Sequence, residues 1–144
     1  MFAANQHVAV TVTDIDRAGS FYAEAFDAEW LWEPRLMEGE EAARTGIAPA
    51  FRCGMIGFSE ACLELFELLG TERPAPTSVP HFALQVDDVD AALARIEAAG
   101  GTRLWPRPNV IGKIRVIYTA DPDGNVIELL DANLADLVST IRQG

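Results

Sequence analysis

Long apolar runs are absent from the 144-residue sequence. No stretch approaches the ~20 residues that span a bilayer, so no membrane insertion is expected. Met1 to Val10 carries neither a basic n-region nor an apolar segment of secretory length, which makes the cytoplasm the expected address. Cysteine is scarce: Cys53 and Cys62 are the only two. Two are too few for a disulfide framework in a chain of this size. They flank a Gly-containing turn and would face each other across a hairpin, but reduced, mostly buried thiols are the expectation. Basic residues are also few, 11 against 22 acidic, for a net charge of −11. That excludes the basic face nucleic acid requires, and an anionic ligand would need a local basic group. Low-complexity tracts and long like-charge runs are missing too, so disorder is not expected.

What remains is an ordinary globular composition, 49% hydrophobic and 23% charged, in a chain long enough for one domain over 1–144. The chain repeats itself. His7-Val-Ala-Val-Thr-Val-Thr-Asp-Ile-Asp16 matches His81-Phe-Ala-Leu-Gln-Val-Asp-Asp-Val-Asp90 at an offset of 74, and Cys62-Leu-Glu-Leu-Phe-Glu67 matches Val126-Ile-Glu-Leu-Leu-Asp131 at 64. The first copy therefore carries about ten extra residues. Pro34 to Pro49, rich in Gly, Glu and Pro, reads as the loop that holds them. The duplication predicts an α+β fold: two βαβββ modules with pseudo-twofold symmetry, forming a curved mixed sheet around a cup. Module one covers about 5–69, module two about 79–131, and a C-terminal helix about 132–142.

Periodicity places the elements. In His7–Val12, Val8, Val10 and Val12 share one face, and His7, Ala9 and Thr11 the other; His81–Val86 alternates likewise. An Asp-rich corner follows each strand and supplies a helix N-cap. The first helix stripes Ala18, Phe21, Tyr22, Ala25 and Phe26; the second stripes Val89, Ala92, Leu93, Ile96 and Ala99 and stops at Gly100-Gly101. Further strands are expected near Glu29–Glu33, Ala50–Gly57 and Ala61–Leu68, then near Thr102–Trp105, Ile114–Ala120 and Asn125–Leu130. Asp121-Pro-Asp-Gly-Asn125 predicts a tight hairpin. Leu134, Leu137, Val138 and Ile141 define the last helix, which covers either the core or a subunit contact.

The only two histidines, His7 and His81, open the first strand of each copy, on the face away from the valines. A lone strand histidine is usually structural; matched placement argues for more. Glu64 and Glu128 each sit inside an apolar strand, where an ionised carboxylate needs a partner. With their apolar neighbours packed against helices, both would point into the concave face. Two imidazoles and two carboxylates converging there suit a divalent transition metal, with room for water or substrate oxygens. Arg52, Lys113, Arg115 and Tyr118 are secondary pocket candidates that would hold a substrate carboxylate. Trp30, Trp32 and Trp105 are expected in edge or core roles, and Met37 with Glu38–Arg44 in a surface loop or lid.

His-x-Ala-x-x-Val with its Asp corner, the central Leu-Glu-Leu-Phe, the second His-x-Ala-x-x-Val-Asp-Asp-Val and the final Asp-Pro-Asp-Gly-Asn-Val-Ile-Glu-Leu resemble the vicinal oxygen chelate superfamily. That group includes glyoxalase I, methylmalonyl-CoA epimerase, extradiol dioxygenases, fosfomycin-resistance enzymes and bleomycin-binding proteins. The resemblance spans roughly residues 5 to 131. It implies metal ligands at His7, Glu64, His81 and Glu128, a divalent ion (Ni, Co, Zn, Mn or Fe), a small chelating substrate and a homodimer. No organic cofactor is implied. A glutamate at the metal moves the proton in lyase and isomerase members, which makes Glu128 the first candidate base and Glu64 its counterpart. The expected activity is that of a glyoxalase-I-like, metal-dependent lyase or isomerase working through an enediolate. The alternatives are an extradiol-type dioxygenase and a non-catalytic antibiotic-binding or resistance protein. Bacterial glyoxalase I usually has Arg four residues after the first His and Asn three after the first Glu; Thr11 and Glu67 stand here. The metal site thus resembles glyoxalase I, while its glutathione clamp does not. The epimerases resemble the chain in Arg44-Thr-Gly-Ile47, but Arg44 replaces their usual catalytic Glu, and Glu40 or Glu41 would substitute only with a shifted loop.

Overall fold

The computed structural model describes residues 7–70 and 81–143. The chain divides into two compact units, Met1–Ala75 and Pro76–Gly144. The expected module starts near 5 and 79 lie outside the described residues. The first unit runs β1 (Val8–Val12), α1 (Ile15–Phe26), β2 (Glu29–Glu38), α2 (Gly39–Thr45), β3 (Ala50–Phe58) and β4 (Ala61–Leu68). The second runs β5 (His81–Gln85), α3 (Val89–Ala98), β6 (Thr102–Arg103), β7 (Asn109–Ile111), β8 (Ile114–Ala120), β9 (Val126–Leu130) and α4 (Leu134–Gln143). The fold is α+β, as the periodicity predicts, with the strands in two mixed sheets. Their orders are β1-β4-β3-β2 and β5-β9-β8-β6, with β7 also pairing β8.

Matching corners start α1 and α3. Asp14 accepts a hydrogen bond from the Arg17 amide at 2.9 Å, and Asp88 from the Ala91 amide at 3.0 Å. Each helix then covers one sheet face. Ile15, Phe21 and Tyr22 of α1 are buried, as are Ile56, Leu63 and Leu65 of the strands in the same unit. In the second unit Val89, Leu93 and Ile96 of α3 are buried, together with Ile117, Ile127 and Leu129. The valines of β1 follow the expected face, but Val12 is 2% exposed and Val8 38%, because β1 is an edge strand.

Trp30 is more deeply committed than an edge residue. A Cβ added at Gly19 of α1 would run into its indole, and one at Gly54 of β3 would lie 2.7 Å from it. Gly19→Ala is therefore expected to destabilise the chain by about 1–3 kcal/mol through overpacking, despite alanine's better helix propensity. Urea titration checks this; a stabilised variant would show that Trp30 yields without strain.

Three expectations are corrected. The Pro34 to Pro49 stretch is not a loop throughout; only residues 46–49 are irregular. β2 continues past Pro34 to Glu38, with ladder irregularities between Trp30 and Arg35 that absorb the missing N–H. Residues Gly39–Thr45 then form α2, anchored by fully buried Ala42 and ended by Gly46 at φ +68°. The strand expected over Thr102–Trp105 shortens to Thr102–Arg103, ahead of Pro106 and Pro108. A further short strand, β7, follows them. The Asp121 hairpin forms as predicted: the Asp121 carboxylate accepts from the Asp123 and Asn125 amides and the Asn125 side chain at 2.7–2.9 Å. Both cysteines are free thiols, and they are not opposite each other, since Cys53 pairs with Phe66 and Cys62 with Gly57. No helix among the described residues is long and apolar enough to cross a membrane.

Candidate metal centre

The placement of each His–Glu pair follows from strand register. β1 runs parallel to β4 with Ala9 opposite Glu64, and β5 runs parallel to β9 with Ala83 opposite Glu128. Each histidine lies two residues before that alanine, so it shares the glutamate's face. The rings reach across: His7 Nε2 lies 3.4 Å from Glu64 Oε2, and His81 Nε2 lies 3.4 Å from Glu128 Oε2. The glutamate side chains are 21% and 19% exposed. Their flanking residues Leu63, Leu65, Ile127 and Leu129 are 0–2% exposed on the helix side. Among the described residues, neither unit adds a third His, Cys, Asp or Glu to its pair to make a metal-holding group. An imidazole nitrogen and a carboxylate oxygen at this spacing can share one ion, since donors about 2.1 Å from a metal lie at most about 4.2 Å apart.

The surroundings of the two pairs differ. Beside the first is a cavity of about 580 Å³, lined by Glu64 together with Trp32, Met37, Ile47, Phe51 and Phe66. Cys53 and Arg35 also line it. Burial, with the Glu64 charge adding to it, pushes the Cys53 thiol up, which keeps it protonated and unreactive. Beside the second pair, Tyr118 stands opposite Glu128 across the β8–β9 ladder. Its ring lies 5.2 Å from His81 edge-on and 4.7 Å from Trp105. Desolvation, then the Glu128 charge and a hydrogen bond to Glu128, raise the Tyr118 pKa, so the hydroxyl keeps its proton.

The other sequence candidates fall elsewhere. Arg52 grips Asp16 at 2.9 and 3.1 Å and reaches Glu67 at 3.3 Å. Arg115 grips Asp90 at 2.7 and 3.0 Å. Both tie a central strand to the first turn of the helix behind it. Lys113 is exposed in the turn between β7 and β8. Within α2, Arg44 pairs with Glu40, while Glu41 pairs with Arg35 of β2. Glu67 accepts from the Ile15 amide at 3.0 Å, a structural role. The cavity residues Arg35, Phe51 and Phe66 carry no sequence signal beyond strand alternation.

The arginine clamps set an acid limit on stability. Hydrogen bonds from Arg52 and Arg115 hold Asp16 and Asp90 below the ordinary value of 3.8. A depressed carboxylate stabilises fully above its unfolded value, and that contribution disappears as pH falls through the folded one. Urea midpoints should therefore drop below about pH 4, and an Arg52→Met/Arg115→Met double variant should show a shallower drop. Equal slopes would assign the acid loss to other groups.

Comparison with known proteins agrees with this architecture. Residues 5–129 match the Glyoxalase/Bleomycin resistance protein/Dioxygenase superfamily, and the chain belongs to that family. It is 33% identical to a 2-epi-5-epi-valiolone epimerase of Actinomyces sp., over 89% of this chain and 79% of that one. It is 31% identical to a probable lactoylglutathione lyase of Vibrio parahaemolyticus, over 86% and 87%. In structure it is similar to a mutant of the fosfomycin resistance protein FosX of Listeria monocytogenes, solved in complex with Mn(II) and 1S,2S-dihydroxypropylphosphonic acid. There the TM-score is 0.72 at 21% identity, covering 98% and 99% of the two chains. The resemblance read from the motifs stands, and with it the enzyme class: relatives named for lyase and epimerase activities share about a third of their residues with most of this chain.

Proposed function

We propose that this protein is a glyoxalase-I-like, metal-dependent lyase or isomerase that moves a proton on a small chelating oxygenated substrate. The observation that carries this reading is the matched pair of His–Glu contacts, one per unit, each 3.4 Å long and each on the sheet face away from the helix. His7, Glu64, His81 and Glu128 together hold one divalent ion, with the units supplied by one chain or by two chains of a homodimer. Two neutral imidazoles and two carboxylates balance a dication and suit Ni, Co, Zn, Mn or Fe. The metal, when bound, supplies Lewis acidity where negative charge develops on two adjacent substrate oxygens.

The remaining chemistry belongs to the chain. Glu64 and Glu128 are the bases beside the reacting carbon, able to take its proton and return it to a neighbouring atom. The cavity beside Glu64 receives the body of the substrate. Glu67, engaged with Ile15 and Arg52, is not available to anchor glutathione, which supports a substrate other than a glutathione conjugate. A cytoplasmic setting belongs to the same reading.

Solvent deuterium incorporation tests the reaction class. Metal-loaded protein is expected to exchange the carbon-bound hydrogens of a small α-hydroxyketone such as dihydroxyacetone into D₂O. Oxygen uptake with catechols and no exchange would favour the dioxygenase alternative instead.

A further inference from the structure

The cavity beside Glu64 is far larger than a three-carbon substrate requires. At about 580 Å³ it falls within the roughly 300–1,000 Å³ of pockets that take drug-sized ligands. Strand register sets its walls. Trp32 of β2 pairs with Met55 of β3, and Met55 pairs with Glu64 of β4, so the indole stands in the row of the carboxylate with one strand between them. Their backbones are therefore about 10 Å apart. Phe66 follows Glu64 by two positions on the same face, about 7 Å along β4. Its ring centroid lies 5.5 Å from that of Phe51, and both rings line the cavity with Met37 and Ile47. Trp32 and Ile47 are 43% and 46% exposed, which leaves apolar area that a ligand in the cavity would cover.

Polar partners along these walls are few. The Thr45 hydroxyl already donates to the Ala42 carbonyl at 2.7 Å and accepts from the Ile47 amide at 3.2 Å. Cys53 offers only a weak S–H donor. Among the described residues Arg35 is the one cation lining the cavity, and Glu41 pairs with it at 3.4 Å. Glu33 lines the same cavity, so carboxylates outnumber the cation even with Glu64 assigned to the ion. We infer that the body of the substrate is an uncharged aromatic ring, carried on the chelating α-hydroxyketone. The inference rests on the proposed function and narrows its substrate class. A polyhydroxylated ring would lose hydration against the apolar walls without regaining its hydrogen bonds. A phosphate, phosphonate or carboxylate would meet more negative charge than positive. Trp32 determines specificity in this scheme: it touches the ring and not the reacting atoms.

The test compares three ketones in D₂O with the metal-loaded full chain: 2-hydroxyacetophenone, its anionic analogue 4-(2-hydroxyacetyl)benzoate, and dihydroxyacetone, which has no ring. Each exchange rate is divided by the uncatalysed rate of the same compound. The kcat/KM for 2-hydroxyacetophenone should exceed that for dihydroxyacetone by about 10–100-fold, the gain from burying one ring. The benzoate should fall at least about 10-fold below the neutral ketone. Calorimetry of 2-hydroxyacetophenone binding should show a negative heat-capacity change, a readout independent of turnover. Trp32→Ala should shrink the preference for the ring about 10-fold, mainly through KM, and Trp32→Phe should restore most of it. If Trp32→Ala unfolds, the three ketones on the wild-type chain decide the matter alone. Equal kcat/KM for 2-hydroxyacetophenone and dihydroxyacetone, or a preference for the benzoate, would overturn the inference and leave the proposed function standing. Exchange of none of the three would overturn the proposed function and the inference with it.

Discussion

Glu64→Gln is expected to slow proton transfer by about 10²–10⁴-fold, the range general acid–base catalysis supplies. Glutamine keeps the size and one oxygen of the side chain but accepts no proton. The fold should survive, because the 21% exposed carboxylate is not part of the apolar core formed by Leu63 and Leu65. The measurement is exchange rate at saturating metal alongside a urea titration. Slow exchange with an unchanged midpoint places the loss in chemistry. A lowered midpoint would mean that Glu64 has a structural role, and unchanged exchange would remove it from the reaction.

His7→Ala and His81→Ala should each lower metal affinity by more than the roughly 10–100-fold that loss of an outer partner costs, because each removes a donor atom. The effects should be alike, since the two contacts are alike in length and exposure. In each variant the neighbouring glutamate is left in a partly buried position without its imidazole partner, so a modest loss of stability accompanies the metal loss. Isothermal titration with nickel or cobalt provides the comparison. If one histidine proved dispensable, the symmetric four-donor description would give way to a site of one imidazole and two carboxylates, whereas a dispensable glutamate would leave the two-His, one-carboxylate set expected of a dioxygenase.

Much of this site is legible in the sequence because duplication makes single residues informative. One histidine at a strand start says little; His7 and His81 at the same place in two copies, each with a glutamate inside a matching apolar strand, say a good deal. Strand alternation then places Glu64 and Glu128 on the face opposite Leu63, Leu65, Ile127 and Leu129, as the structure has it. The misses come from effects that periodicity does not carry. Pro34 reads as a strand breaker, yet an irregular ladder lets β2 continue to Glu38. The Gly- and Glu-rich run after it reads as a loop, yet burial of a single alanine, Ala42, secures α2. Arg52 and Arg115 read as pocket cations, and only the tertiary approach of Asp16 and Asp90 shows them to be clamps. Tyr118 is visible as a pocket residue, but its place opposite Glu128 depends on the β8–β9 register, which fixes partners ten positions apart.

The last helix is amphipathic, as the sequence indicates, and Leu137 packs against the cluster of Ile114, Val116 and Leu130. Leu134 and Ile141 remain 75% and 59% exposed. The structure thus supports core covering by one residue of that stripe and leaves the rest of it outward.

The central claim is that two repeats each give one imidazole and one carboxylate to a shared ion. Metal titration of the full chain, followed by X-ray absorption at the metal edge, tests it most directly. The account predicts one divalent ion for each set of two His–Glu contacts, a first shell containing two histidine nitrogens and protein oxygens, and loss of that shell in Glu64→Gln/His81→Ala. An ion retained unchanged in that double variant, or a shell with a single histidine, would contradict it.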